Sequence, residues 1–231
     1  MDIAYFSEFA VKAGFTQAPD LSDVRRAAMA LEAQNSGGYV IRPCLVHGRR
    51  IVRVDREFLK EQPAYIEIED CDGLVTDIEN VTLTSTHGDC LPIYAYSPEK
   101  AAIGLAHAGW KGTAQGIASA LIDSMVNSFG CDPAGIRAVI GPGIGRCHFE
   151  VSQDAVLEFR SNLSWADEFI FPGKAEGKYF IDLKGTNKRL LFNSGVRSIE
   201  VSPVCTYCDT ENSYSYRRDG TMNRMLAYIR L

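Results

Sequence analysis

Leu91-Pro-Ile-Tyr-Ala-Tyr96, Ser97-Pro-Glu-Lys100, Ala101-Ala-Ile-Gly-Leu-Ala106 and His107-Ala-Gly-Trp-Lys-Gly112 follow one another in the chain. Two apolar runs flank a polar segment with Pro at its second position, which reads as strand, turn, strand. From about Thr113 to Phe129 the period changes. Ile117, Leu121, Met125 and Phe129 fall on one helical face, and Gly130 stops the helix. A hairpin followed by a helix excludes an all-parallel sheet.

Downstream of this stretch, IRAVIGP (136–142) reads as a strand and VSQDAVLEFR (151–160) as a helix opened by Ser152. YFIDL (179–183) is a strand, LKGTNKRLLFNSG (183–195) a helix, and VRSIEVS (196–202) and MLAYIRL (225–231) late strands. Upstream lie the β-branched runs YVIRPCLVHG, RRIVRV, DGLVTD and VTLTST, between residues 39 and 86. Residues 21–34 are expected to be helical, with Leu21, Val24, Ala28 and Leu31 on one face, Asp20 or Ser22 as cap and Asn35–Gly38 as stop. No linker or repeat interrupts the chain. The expected fold is α/β, a single domain over 1–231 with a mixed β-sheet flanked by helices.

The composition agrees. Of 231 residues, 46% are hydrophobic and 23% charged, which excludes disordered, collagen-like and coiled-coil classes. Lys+Arg 24 against Asp+Glu 29 gives a net charge of −5, against a nucleic-acid partner. The N-terminal run MDIAYFSEFAVKAGF lacks the form of a secretory signal, and AAIGLAHAGW is about half a membrane span. Seven scattered cysteines fit reduced thiols better than a disulfide framework. These features lead us to expect a cytoplasmic protein, monomer or homodimer, with a small-molecule substrate and no membrane.

The hairpin carries a chemical implication. A turn with Pro98 and Glu99 at its tip sets Cys90 opposite His107, with Cβ atoms roughly 4.5–5.5 Å apart. A thiolate and an imidazole at that spacing form either a shared metal site or a hydrogen-bonded Cys–His pair. His47, at the end of another apolar run, is a third candidate. One Cys and two His suit Zn²⁺ and leave a fourth position for water. The remaining polar clusters are less specific. Ile140–Gly145 (IGPGIG) reads as a tight turn requiring positive φ, or as an anion-binding nest. Tyr216, Arg217 and Arg218, in YSYRRD, read as a phosphate or base site, or as a solvated arginine pair. Cys205 and Cys208 have redox-motif spacing but no second pair, which favours a structural role.

Together, LVHG (45–48), DGLVTD (72–77), GDCLPIY (88–94), GLAHAGWKGTAQGI (104–117), IGPGIGRCHFEV (140–151), YFIDL, CTYCDTENSYSYRRDG (205–220) and NRMLAYI (223–229) resemble the YfiH-like family, also called the laccase-domain or multicopper polyphenol oxidase family. The resemblance covers roughly residues 39–231. It implies a metal centre at His47, Cys90 and His107, and phosphorolysis of adenosine, inosine, guanosine and methylthioadenosine with deamination of adenosine. It also implies a sandwich fold like that of cysteine-hydrolase toxins. Residues 1–38 diverge from the family's usual opening, HGDC stands where Thr-Ala-Asp-Cys is common, and HAGWKG where HAGWRG is common, exchanging a planar guanidinium for the point charge of Lys111.

The leading expectation is a zinc-dependent purine nucleoside phosphorylase and adenosine deaminase, with copper as the alternative ion. His47, Cys90 and His107 hold the metal, Asp89 or His87 moves protons, Lys111, Arg217 and Arg218 hold phosphate, and Tyr216 or Trp110 stacks the base. A cysteine hydrolase or amidase acting on peptidoglycan precursors through Cys90 and His107 is the runner-up. A non-catalytic binding protein is a third reading. A copper-dependent polyphenol oxidase ranks last, because four histidines are too few for a multicopper centre.

Overall fold

The computed structural model describes residues 11–18 and 38–231. The expected helix at 21–34 lies outside them. The first half of the chain supplies β1 (Lys12–Ala18), β2 (Tyr39–Pro43), β3 (Ile51–Arg53), α1 (Arg56–Leu59), β4 (Tyr65–Ile68), β5 (Gly73–Thr76) and β6 (Val81–His87). The hairpin strands β7 (Leu91–Ser97) and β8 (Ala102–Ala108) come next, then α2 (Trp110–Ala114), α3 (Ile117–Phe129) and β9 (Arg137–Ile140). β10 (Glu150–Ser152), α4 (Gln153–Asn162), β11 (Ile170–Pro172), β12 (Lys178–Ile181), α5 (Leu183–Asn193), β13 (Ser198–Val201), α6 (Tyr216–Asp219) and β14 (Arg224–Arg230) complete the order.

These elements form an α/β architecture with three layers. A six-stranded mixed sheet, β13-β9-β7-β8-β5-β3, packs one face on helices and the other on a five-stranded mixed sheet, β1-β14-β6-β2-β4. The hairpin is the centre of this arrangement and is buried along its whole length. Its alternation sorts side chains between layers, as a strand's period of two requires. Leu91, Ile93, Ala95, Ala102 and Ala106 face the helical layer, packing with Ile117, Leu121 and Met125 of α3. Tyr94, Tyr96, Ile103 and Leu105 face the second sheet, packing with Ile41, Leu83 and Ala227. Tyr94, fully buried, donates its hydroxyl hydrogen to the Gly14 carbonyl (2.9 Å), so one polar tip ties β7 to β1 across the sandwich.

Two expectations are corrected by the backbone. The hairpin register pairs Leu91 with Ala108 and His107 with Pro92. Cys90 therefore lies just outside β7 and is not the direct cross-strand neighbour of His107. The reason is the turn. Pro98 fixes a negative φ that a two-residue primed turn cannot accept, so the connection runs over four residues and ends at Ala101 with φ 45°. The single helix expected from Thr113 is two: α2 begins at Trp110, and Gly116 (φ 82°) separates it from α3. Among the described residues no helix is long and apolar enough to cross a membrane.

Candidate functional site

The end of the sandwich where β6 and β8 finish and β7 begins holds three of the four histidines. His107, at the end of β8, is buried; Cys90 precedes β7; and His47 sits on the exposed loop between β2 and β3. One ligand atom from each of His47, Cys90 and His107 lies within 4.8 Å of the others. The diagonal offset of Cys90 from His107 does not separate them because Gly109 stands opposite the thiol. A Cβ there would come 3.2 Å from Cys90 Sγ and 3.1 Å from the His47 ring. The glycine of HAGW thus leaves the space in which the three donors converge.

Asp72, fully buried at the start of β5, organises two of the three. Its carboxylate accepts backbone N–H bonds from His47 (2.9 Å) and Gly48 (2.8 Å), and faces His107 Nδ1 at 3.3 Å. The first pair holds His47 at its left-handed φ of 60°, a conformation a non-glycine residue keeps only when its surroundings impose it. The contact to Nδ1 leaves Nε2 of His107 for the centre, the arrangement in which a carboxylate orients a metal-binding imidazole. Burial alone pushes the Cys90 thiol up, but His107 and His47 outweigh it and bring it from 9.0 down to about 6. Burial likewise pushes His107 down, but Cys90 and Asp72 outweigh that and raise it to about 9. In the metal-free chain each group thus favours the charged form of the other, thiolate at Cys90 and imidazolium at His107. The donor set, one soft thiolate and two imidazoles with a position left open, fits Zn²⁺.

A cleft of about 560 Å³ opens onto these donors, walled by Trp110, Phe149, Tyr216, Arg217 and Arg224. Arg217 Nη1 donates to the carbonyls of Glu150 (2.7 Å) and His148 (3.3 Å), which fixes its guanidinium on the wall. Tyr216 is 57% exposed and stands at the rim.

Several sequence expectations are placed differently. Lys111 is exposed, its ammonium over the Trp110 ring (5.6 Å), and does not line the cleft. Successive helical residues do not share a face, so Trp110 in the cleft turns Lys111 away. Arg218 is likewise turned from the cleft: it donates to the carbonyls of Thr206, Tyr207 and Ser213 and pairs with Asp219. It fastens a loop instead of offering a phosphate site. Asp89 lines the cleft, but one oxygen accepts the Thr206 hydroxyl hydrogen and the other the Arg217 backbone N–H, both at 2.7 Å. This carboxylate is committed to positioning. His87 is fully buried, donates Nδ1–H to the Cys90 carbonyl (3.1 Å), and is no part of the ligand group. Burial and the neighbouring His107 hold its pKa well below the ordinary 6.5, so it is neutral.

The IGPGIG segment is a close-packed turn, and none of its glycines has positive φ. A Cβ on Gly143 would strike Leu91 and the Asp89 carbonyl, so glycine is required by close approach. Asp72, Gly109 and Arg224 escaped the residue-by-residue reading. Asp72 was visible only as an acid at the head of an otherwise apolar strand.

A three-layer α/β fold with a Cys/His centre at the foot of a polar-rimmed cleft defines the class. The sequence model of the family described as multi-copper polyphenol oxidoreductase laccase matches residues 10–231, and the chain belongs to that family. The purine nucleoside phosphorylase YlmD of Geobacillus stearothermophilus is 37% identical over 189 residues, 80% of this chain and 69% of that one. The adenosine deaminase RL5 from an unknown prokaryotic organism is 29% identical, over 78% of this chain and 70% of its own. Among solved structures, the hypothetical protein YfiH of Bacillus licheniformis superposes with a TM-score of 0.87 at 31% identity, covering 100% of this chain and 95% of that chain.

Proposed function

We propose that this chain is a purine nucleoside phosphorylase with an accompanying adenosine deaminase activity, and that both reactions take place at His47, Cys90 and His107. The observation that carries the reading is the convergence of these donors at the foot of a cleft with aromatic walls and two arginines. The names of the relatives support the substrate class. Adenosine, inosine, guanosine and methylthioadenosine are the proposed substrates.

In phosphorolysis a phosphate oxygen bonds to the anomeric carbon while the bond to the purine breaks; the base leaves with a proton and ribose 1-phosphate remains. The residues' task is to hold two reactants in line and to balance charge. Arg217 and Arg224 supply positive charge at the wall for phosphate, replacing Lys111 and Arg218 in that role. Tyr216, Trp110 and Phe149 offer ring faces and edges for the base. Asp89 keeps the Arg217 loop against the Cys90 loop. In deamination, water adds to the purine and ammonia leaves. Zn²⁺ held by His47, Cys90 and His107 would supply Lewis acidity and lower the pKa of a water to about 7.

The line Asp72–His107–Cys90 also favours a second reading, a cysteine hydrolase in which the thiolate attacks an amide and His107 protonates the leaving amine. The two readings require opposite states of the sulfur, metal-bound or free. Chromatography of the protein incubated with adenosine and inosine, with and without phosphate, separates them. Phosphate-dependent release of base, lost in His107→Ala, is the expected result. Hydrolysis of amides by metal-free protein, with no purine product, would overturn the phosphorylase reading.

A further inference from the structure

A second Cys/His group lies outside the cleft. The loop after β9 carries Cys147 and His148, and the loop after β13 carries Cys205 and Cys208. One ligand atom from each of the four lies within 4.8 Å of the other three. Cys147 Sγ is 3.6 Å from Cys205 Sγ and 3.8 Å from Cys208 Sγ. A tetrahedral ion with Zn–S bonds of about 2.3 Å requires sulfur–sulfur edges of about 3.8 Å. His148 Nδ1 stands 3.2 Å from Cys147 Sγ and 3.3 Å from Cys208 Sγ, facing two sulfurs at once. Its ring is held there by stacking on Tyr207, with centroids 3.9 Å apart and planes at 12°.

The surroundings match a ligand shell. The Gly145 N–H donates to Cys205 Sγ at 3.1 Å, the kind of outer hydrogen bond that orients a metal-bound thiolate. A Cβ on Gly145 would approach Cys147 Sγ and the Cys205 Cβ at 3.2 Å, so the glycine leaves room for the sulfurs to gather. A disulfide would use two of the four groups and give no role to the third thiol or the imidazole. Three thiolates and one imidazole form a complete tetrahedral set with no open position.

We propose that Cys147, His148, Cys205 and Cys208 bind a second Zn²⁺ ion in a closed, structural site. Its place in the fold states what it does. Cys147 and His148 belong to the loop that also brings Phe149 to the cleft, and the 205–208 turn opens the segment that leads into α6, which carries Arg217. The two loops also meet through the Gly143–Cys205 bridge, the His148–Tyr207 stack and the Arg217 bonds to the His148 and Glu150 carbonyls. The ion clamps them together and thereby holds Arg217 on the cleft wall.

The test is metal counting on full-length protein loaded with zinc or cobalt. Wild type should hold two ions per chain, Cys208→Ser one, and Cys90→Ser one. With cobalt, the ion remaining in Cys90→Ser should give sulfur-to-metal absorption about threefold stronger than that remaining in Cys208→Ser, three thiolates against one. Should a variant fail to fold, wild-type cobalt titration gives the same reading, as two steps of unequal intensity. One ion per chain in wild type, with Cys147, Cys205 and Cys208 all titrating as free thiols, would overturn the proposal. So would a disulfide among those three in protein purified without oxidant, or two ions retained in Cys208→Ser.

Discussion

The cleft and the loop cluster draw on the same two residue types and differ in count, burial and support. His107 at the end of β8 and Cys90 just before β7 are held by the central hairpin and joined by His47 from an exposed loop, with His107 buried and a buried carboxylate behind it. Cys147, His148, Cys205 and Cys208 are four donors on loops, with both Cys147 and Cys208 exposed. Three donors at the foot of a cleft leave a position for a reactant; four donors on the outside leave none. On the proposed roles, donor number and the framework behind it, more than residue type, separate a centre that reacts from one that fastens.

The sharpest way to break this comparison is at Cys90. Cys90→Ser should lower turnover of inosine by about 10³-fold or more, the several kcal/mol that a bound ion contributes. The cluster variant Cys208→Ser should keep turnover within about tenfold, because it alters only how firmly Arg217 is held. Steady-state kinetics beside metal analysis would compare the two, and equal losses would erase the distinction. Asp72→Asn comes next. It retains the bulk but removes the charge facing His107, and zinc affinity of the cleft should fall about 10–100-fold, read by competition with a chromophoric chelator.

Gly109→Ala should have a smaller effect. The backbone there is extended (φ −72°), so alanine is conformationally acceptable and only the added methyl acts. Its contacts with Cys90 Sγ and the His47 ring should weaken cleft zinc by about tenfold, ~1.4 kcal/mol, with little change in melting temperature. pH gives a further contrast in metal-free protein. The Cys90 thiol, lowered to about 6, is thiolate at neutral pH and protonates as pH falls through that value. Its alkylation rate should stay level above neutrality and drop below about pH 6. Cys71, pushed up to about 11 by burial, should not react in that range. The smallest effect is expected for Lys111→Ala, because the ammonium lies over Trp110 outside the cleft. Its kcat/KM for phosphorolysis should stay within about twofold of wild type.

The strength of local pattern decided what the sequence disclosed. β7, β8 and the face of α3 were legible because their periods are regular and their boundaries carry Pro98 and Gly130. The register was not. Reading it two residues off required only one wrong assumption about the turn, and period-two alternation survives an even shift unchanged. The strand pairings of the second sheet were also hidden. β14 inserts between β1 and β6, and β2 pairs in parallel with β6, so its contacts join residues far apart in the chain. For the site, conspicuous residue types pointed to His47, Cys90 and His107. Adjacent arginines do not disclose that Arg217 faces the cleft while Arg218 serves a loop. Nor does the isolated Cys205–Cys208 spacing reveal Cys147 and His148, which come from another part of the chain and meet it only in the folded protein.

The central claim is that the three-donor centre performs the purine chemistry. The most direct measurement is to strip the protein of metal, return zinc stepwise, and follow phosphate-dependent conversion of inosine to base against cleft occupancy. Turnover should rise in proportion to zinc bound at His47, Cys90 and His107, and His107→Ala should remain inactive at every addition. Full phosphorolysis by the stripped protein, or by His107→Ala, would contradict it.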